Sequence, residues 1–225
     1  ERVRQALNHA IDRTAIVRAL SFGYGEPSAQ HFPSGYMAHD NDTGADYYRY
    51  DPQRARALLA AAGLPDGFSF ELIVPNIPNY MPLFEVLQYQ FAEVGITARP
   101  WVLKGAQISE RFYGASEGDA ALVTWGGRPD PSQTIDLLFT PGSLPNPGAH
   151  STPQVMRLAR LARQETDAAA RPAKLQAAAA EITHQALDLV LYLPSSTFAL
   201  RPAVEGMQVW ASGNKPEFRG VRIRR

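Results

Sequence analysis

The sequence predicts an α/β protein. Strand-length runs of β-branched and aromatic residues alternate with segments of helical periodicity, the pattern of a sheet covered by helices. Helix openings of the Asp-Pro or Thr-Pro kind recur at Asp51-Pro52, Asp130-Pro131 and Thr152-Pro153, each followed by a helix-length segment. Ala120 to Trp125 is apolar enough for a strand covered on both faces. At 225 residues the chain is long enough to bury a full core, and one domain is the expectation.

The first helix is expected over VRQALNHAIDRTAIVRAL, where Val3, Leu7, Ala10, Ile11, Ile16, Val17 and Leu20 share a face and Gly23 is the stop. Tyr24 to Tyr50 reads as a long irregular connector rich in proline, glycine and aromatic residues, and long loops in compact domains are commonly functional. Asp51 caps the next helix, Pro52 fits its first position because no hydrogen bond is lost there, and Gly63 ends it. Phe68 to Pro75 is a strand, Leu83 to Val94 a helix stopped by Gly95, and Ile96 to Leu103 a second strand. A short helix near Ile108 to Tyr113 precedes the Ala120 to Trp125 strand. Pro153 to Gln164 and Arg171 to Leu187 are helices, the second opened by Pro172. Leu189 to Leu193 and Val204 to Trp210 are late strands.

Composition removes several function classes. Twenty-two basic residues balance twenty-two acidic ones, so the chain lacks the basic excess that gives generic affinity for nucleic acid, and Arg222, Arg224 and Arg225 are too few to change that. The absence of cysteine removes disulfides, thiolate metal sites and cysteine nucleophiles together. No segment approaches the ~18 to 20 unbroken apolar residues that span a bilayer. A chain that opens on Glu1 inside a helical pattern is expected to continue upstream, where any signal sequence would lie.

The familiar catalytic signatures are missing: no G-x-S-x-G, no H-E-x-x-H and no P-loop. Gly23-Tyr24-Gly25 lacks the third glycine of a dinucleotide fingerprint and follows a helix rather than a strand. The five histidines are scattered, with none paired at helical spacing, so no metal and no cofactor is expected. Asp40-Asn41-Asp42-Thr43-Gly44 has its glycine one position too early for a calcium loop and no closing Glu, and reads as polar turn chemistry. Glu110, Glu117 and Asp119 read as a solvated face.

What remains is the stretch Trp125-Gly126-Gly127-Arg128-Pro129-Asp130-Pro131. It follows an expected strand and precedes an expected helix, the place where open α/β sheets put ligands and where free amides attract anions. Asp130 has a structural role to begin with, as a helix cap. Trp125 offers a stacking face or a core side chain, Arg128 an anion fork, and Gly126 and Gly127 room for a ligand near the backbone. Phe32, Pro33 and Tyr36 in the long connector are weaker candidates for a pocket wall, since loop packing also explains them.

Taken in order, VRQALNHAIDRTAIV, the proline-rich connector, YDPQRARALLAAAGLPDGF, WGGRPDP, the Thr152-Pro153 helix and Glu165-Thr166-Asp167 resemble the C-terminal half of family 5 extracellular solute-binding proteins, the peptide, dipeptide and nickel type of bacterial ABC importers. The resemblance covers nearly the whole chain. It implies one lobe of a two-lobed periplasmic-binding-protein fold (type II, cluster C-like), with a mixed sheet flanked by helices and the N-terminal lobe absent. Residues 204–225 are then expected to belong to, or pack against, that other lobe. It also implies a receptor outside the cytoplasm, periplasmic or lipid-anchored, that closes on a small-molecule or peptide ligand and delivers it to the permease. It would be a monomer, with no enzymatic activity and no nucleic-acid partner.

In peptide-binding members, the loop after the matching tryptophan carries an aspartate that pairs with the ligand's α-amine. Here the segment is one residue shorter and Arg128 lies nearest that place, which turns the expected cargo toward a carboxylate or phosphate. A solute-sensing domain of a transcription regulator is the rival reading, separable by whether a helix-turn-helix or a signal peptide lies upstream. A hydrolase is a further rival, opposed by the missing catalytic motif. Pro172 falls where relatives continue a helix from the preceding Asp, leaving Asp167 in the turn.

Overall fold

The computed structural model describes residues 1–44, 46–209 and 216–224. The elements run α1 (Arg2–His9), α2 (Arg13–Ser21), β1 (Gly25–Pro27), α3 (Pro52–Ala61), β2 (Phe68–Pro75), α4 (Tyr80–Ala92), β3 (Ile96–Leu103), α5 (Gly105–Ile108), a π-helical turn (Ser109–Gly114) and β4 (Ala120–Ala121). They continue with α6 (Pro131–Phe139), α7 (Pro153–Gln164), α8 (Arg171–His184), β5 (Tyr192–Pro194), β6 (Val204–Glu205), β7 (Gln208–Val209), β8 (Pro216–Glu217) and β9 (Arg222–Ile223).

The single opening helix expected from periodicity is two helices. Asp12 leaves the helical conformation and its carboxylate accepts from the Ala15 amide at 2.8 Å, starting α2 afresh. Ala6, Ala10, Ile11 and Ile16 still bury against one core, so the apolar period continues across a break in the backbone that it does not register. Phe22 in the left-handed region (φ 51°), rather than Gly23 alone, ends α2.

The principal sheet is parallel, in the order β3-β2-β4, with Phe68 opposite Ile96 through to Pro75 opposite Leu103. Antiparallel pairings also occur, but in separate two-stranded sheets: β1 with β5, β6 with β9, and β7 with β8. The turns entering β2 and β3 pass so closely that a Cβ on Gly67 (φ 79°) would lie 1.9 Å from the Gly95 carbonyl oxygen.

Three strands are shorter than expected. The Ala120 to Trp125 run pairs with β2 only at Ala120 and Ala121, with one further bond from the Leu122 amide to the Ile73 oxygen. It is not covered on both faces: Val123 is 53% exposed, because β2 ends at Pro75, which has no N–H to extend the ladder. The late strand begins at Tyr192, not Leu189, because its partner β1 has only three residues, and Pro27 and Pro194 close the pair. The Val204 to Trp210 run is broken at Gly206 (φ 77°), and its end at Trp210 lies outside the described residues. The helix expected near Ile108 to Tyr113 is α5 followed by the π-helical turn.

The two largest of four apolar clusters among the described residues frame the site. The larger places α1 to α4 against β2, β3 and β4 through Ile16, Leu59, Leu72, Val74, Leu87, Phe91 and Ile96. The second joins α6, α7 and α8 through Ile135, Phe139, Val155, Leu175 and Ile182, and takes Phe32 and Ala38 from the long connector. The segment from β4 to α6 crosses from the first core to the second, and WGGRPDP is that crossing.

The connector is held by a buried cation. Arg13, 4% exposed, donates to the carbonyl oxygens of Asn8, Ser28, Tyr48 and Val190 and to Asn8 Oδ1. The Asp40 to Gly44 stretch is the polar turn its sequence suggests, with Thr43 donating twice to Asp40 Oδ2.

Candidate functional site

The loop Trp125 to Asp130 leaves the C-terminal end of the parallel sheet and is folded by its own side chains. Trp125 Nε1 donates to Thr134 Oγ1 at 3.2 Å, which ties the indole to the first turns of α6. The Arg128 guanidinium lies over the indole, with Cζ 4.6 Å from the ring centroid, and Nη1 donates to the Gly126 oxygen at 3.1 Å. That carbonyl is the guanidinium's hydrogen-bond acceptor among the described residues, and the side chain is half-buried. Guanidinium carries five N–H donors in a planar fork, so several stay available to an oxyanion. Glycine at 127 leaves open space, since a Cβ there meets no atom within 4 Å.

One connector residue, Tyr36, reaches this loop, and a second, Phe32, stands behind it. The Tyr36 hydroxyl lies 3.2 Å from the Arg128 oxygen and 3.1 Å from the Pro129 oxygen, donating across that pair of carbonyls. Burial, and then the charge of Asp130, push the Tyr36 phenol up, with Arg171 opposing. The phenol therefore keeps its proton for those carbonyls. Phe32 stacks behind Tyr36, centroids 6.1 Å apart and rings inclined by 22°. At 5% exposure Phe32 belongs to the second core, so it backs the wall rather than forming its surface, while Pro33 is exposed.

Asp130 is engaged through both carboxylate oxygens. It caps α6 by accepting from the Ser132 amide at 2.9 Å, and both its oxygens accept from Arg171 Nη2, at 2.7 and 2.8 Å. Arg171 also donates to Ser132 Oγ and to the Ala162 oxygen. Burial works against the charge on Asp130, but the Ser132 amide, Arg171 and the Ser132 hydroxyl together outweigh it and hold the carboxyl below its ordinary value. Nothing near WGGRPDP in the sequence signals Arg171, which arrives from the start of α8, 41 positions further on. Thr134 had a weak local signal, one helical turn after the Asp130 cap.

The sheet edge contributes further. Tyr80, at the start of α4, bonds Thr124 through the two hydroxyls at 2.7 Å, and Ile77 and Val123 expose apolar surface at the ends of β2 and β4. Glu110, Glu117 and Asp119 are all exposed, as a solvated face requires; Glu117 also pairs with Arg111, and Asp119 accepts from the Glu71 amide. Among the described residues no three His, Asp or Glu side chains gather as a metal site. A wide polar depression lined by His9, Asp42, Asp46, Tyr47, Arg49 and Arg54 lies elsewhere and shows no comparable pairing of aromatic and cation.

Residues 1–146 match the family described as bacterial extracellular solute-binding proteins, family 5 Middle. The chain is 31% identical over 153 residues to heme-binding protein A of Haemophilus influenzae, covering 64% of this chain and 27% of that protein. It is 31% identical over 147 residues to the dipeptide-binding protein of Escherichia coli, covering 62% and 26%. The solved structure of HbpA2 from Haemophilus parasuis superimposes with a TM-score of 0.80 at 26% identity, over 99% of this chain and 45% of that one. The chain thus spans about a quarter of the two curated relatives and less than half of the solved protein.

Proposed function

Because the chain belongs to the family 5 bacterial extracellular solute-binding proteins, whose members bind rather than transform their ligands, we propose that it is a ligand-binding lobe of an ABC importer's receptor, outside the cytoplasm. A small solute or peptide-like ligand lies between this lobe and the remainder of the receptor, stabilises the closed form by its differential affinity for that form, and is handed to the permease. The receptor works as a monomer, without a nucleic-acid partner.

The observation that carries this reading is the Trp125–Arg128 pair, mounted on Thr134 and Tyr36 at the C-terminal edge of the parallel sheet. Trp125 supplies the flat apolar face, Arg128 the bidentate anion contact, and Gly126 and Gly127 the room. Tyr36 forms the adjacent wall, backed by Phe32. An anionic group on the ligand, a carboxylate or phosphate, is what this pair fits. Residues 204–225 belong to, or pack against, the rest of the receptor, a reading supported by the exposure of Val209 and Ile223 on short two-stranded ribbons and of Phe218 beside one.

Mass spectrometry of whatever co-purifies with the full-length protein tests the reading. The expected result is a small organic solute bearing an acidic group, released on unfolding and rebound by the stripped protein. A stripped protein that binds no fraction of its host's small-molecule extract would overturn it.

A further inference from the structure

We infer that Arg171 determines the charge specificity of the ligand loop, by holding the Asp130 carboxylate so that the loop presents Arg128 as its unopposed charge. The inference rests on the reading that the loop receives the ligand, and it adds how the loop selects one.

The loop carries one cation and one anion two residues apart. Left to themselves, Arg128 and Asp130 would offer a ligand both signs, and an ammonium would be as welcome as a carboxylate. The geometry removes that symmetry. Both oxygens of Asp130 are occupied by Arg171 Nη2, and Oδ1 is also taken by the Ser132 amide. The Asp130 side chain is 43% exposed, but a carboxylate whose charge is already met at 2.7 Å is a weakened acceptor for a ligand. Arg128 spends one N–H on Gly126 and stacks on Trp125, leaving the remaining donors and its full charge.

Arg171 is well placed to act in this way, its side chain three-quarters buried behind the loop. Its Nε donates to the Ala162 oxygen at the end of α7 and its Nη2 also reaches Ser132 Oγ, so the guanidinium is fixed between α7, α6 and Asp130. It is a positioning residue acting through a carboxylate, and its removal would release that carboxylate toward Trp125 and Arg128. The loop would then change from cationic to zwitterionic with no change in its own sequence.

The test reads the potential at Trp125 with two small ions, iodide and caesium, as collisional quenchers of tryptophan fluorescence in the full-length protein at constant total ionic strength. Subtracting the W125F signal isolates Trp125. Wild type is expected to favour iodide. In R171Q the iodide-to-caesium quenching ratio should fall by roughly 1.5-fold or more, the screened effect of one uncompensated charge within about 10 Å. R171K should retain the ratio, and the double variant R171Q/D130N should regain it. That recovery separates a charge effect from a packing defect, which D130N would not repair. A ratio unchanged in R171Q, or one that falls and is not restored by D130N, overturns the inference.

If R171Q does not fold, R171H titrated from about pH 5 to pH 8 turns the same charge on and off in one protein. A ratio that falls as the imidazole loses its proton supports the inference, and a flat ratio overturns it. These readouts do not depend on ligand. Failure here removes Arg171 as the selector, whereas failure of the stripped receptor to bind solute removes the functional reading.

Discussion

The guanidinium of Arg128 lies 4.6 Å above the ring of Trp125, and the indole N–H behind it is bonded to Thr134 of the following helix. The tryptophan is therefore a platform fixed from below, and the arginine is held on it by the ring face and by a single carbonyl. Such a pair stabilises the fold little at a half-exposed site, about 0.5 to 1 kcal/mol, while leaving most of the cation's bonding capacity to a partner.

It follows that R128A should cost ligand affinity far more than stability. Charge-assisted hydrogen bonds contribute about 1.5 to 3 kcal/mol, so calorimetry of the full-length protein with its co-purified solute should show a loss of roughly ten- to a hundred-fold. R128K should recover part of this, because an ammonium restores charge without the fork. The urea midpoint should hardly move. Unchanged affinity in R128A would remove the residue from the site.

Y36F isolates the second support of the loop. The hydroxyl serves the carbonyls of Arg128 and Pro129, so its loss should cost about 0.5 to 1.5 kcal/mol of stability and raise the ligand dissociation rate in stopped-flow measurements. Phe32 behind it is core, so F32A should instead cost about 3 to 5 kcal/mol in urea unfolding.

The contrast between those two variants shows what the sequence made legible. Caps and stops were readable because they depend on one or two residues: Asp51, Asp130 and Thr152 each accept from a first-turn amide as their positions imply. The extents of Phe68 to Pro75 and Ile96 to Leu103 were readable too, and the two pair along their whole length, whereas Ala120 to Trp125 pairs only as far as its neighbour allows, and that neighbour ends at Pro75. Trp125 and Arg128 stood out by residue type, and Tyr36 emerged from a long loop. Phe32 was indistinguishable from Tyr36 without knowing which aromatic pointed inward. Arg171 could not be seen at all, because a contact between residues 41 apart leaves no local pattern.

Arg13 is a further contact that local pattern hides. In the sequence it is one of three consecutive polar residues, Asp12-Arg13-Thr14, and reads as an ordinary surface cation. In the fold it is buried beside the connector, its guanidinium pushed down to about 10 by burial, with Tyr48 and Asp188 acting in the opposite direction. R13M would leave the carbonyls of Ser28, Tyr48 and Val190 without this donor, at a cost of about 3 kcal/mol or more. Limited proteolysis should then cut first between residues 28 and 50. A connector that stays resistant would show that Arg13 is not what holds it.

Asp188 also receives His31, whose Nε2 bonds its Oδ2, and this pair gives the fold a pH dependence of definite sign. Burial disfavours the charged imidazole, but the charge of Asp188 and its hydrogen bond outweigh burial and raise the His31 pKa above its ordinary 6.5. The folded protein thus holds the proton more tightly than the unfolded chain. The stabilisation is complete below about pH 6.5 and is lost as pH rises through the folded value. Around the pair stand Arg13, lowered only to about 10, and His150, whose pKa is lowered and whose contribution therefore falls below 6.5. The window above 6.5 consequently isolates His31 within this cluster. Urea midpoints measured from about pH 6.5 to pH 9 should decline in wild type and stay flatter in H31Q, and equal slopes in the two would show that the pair does not carry the dependence.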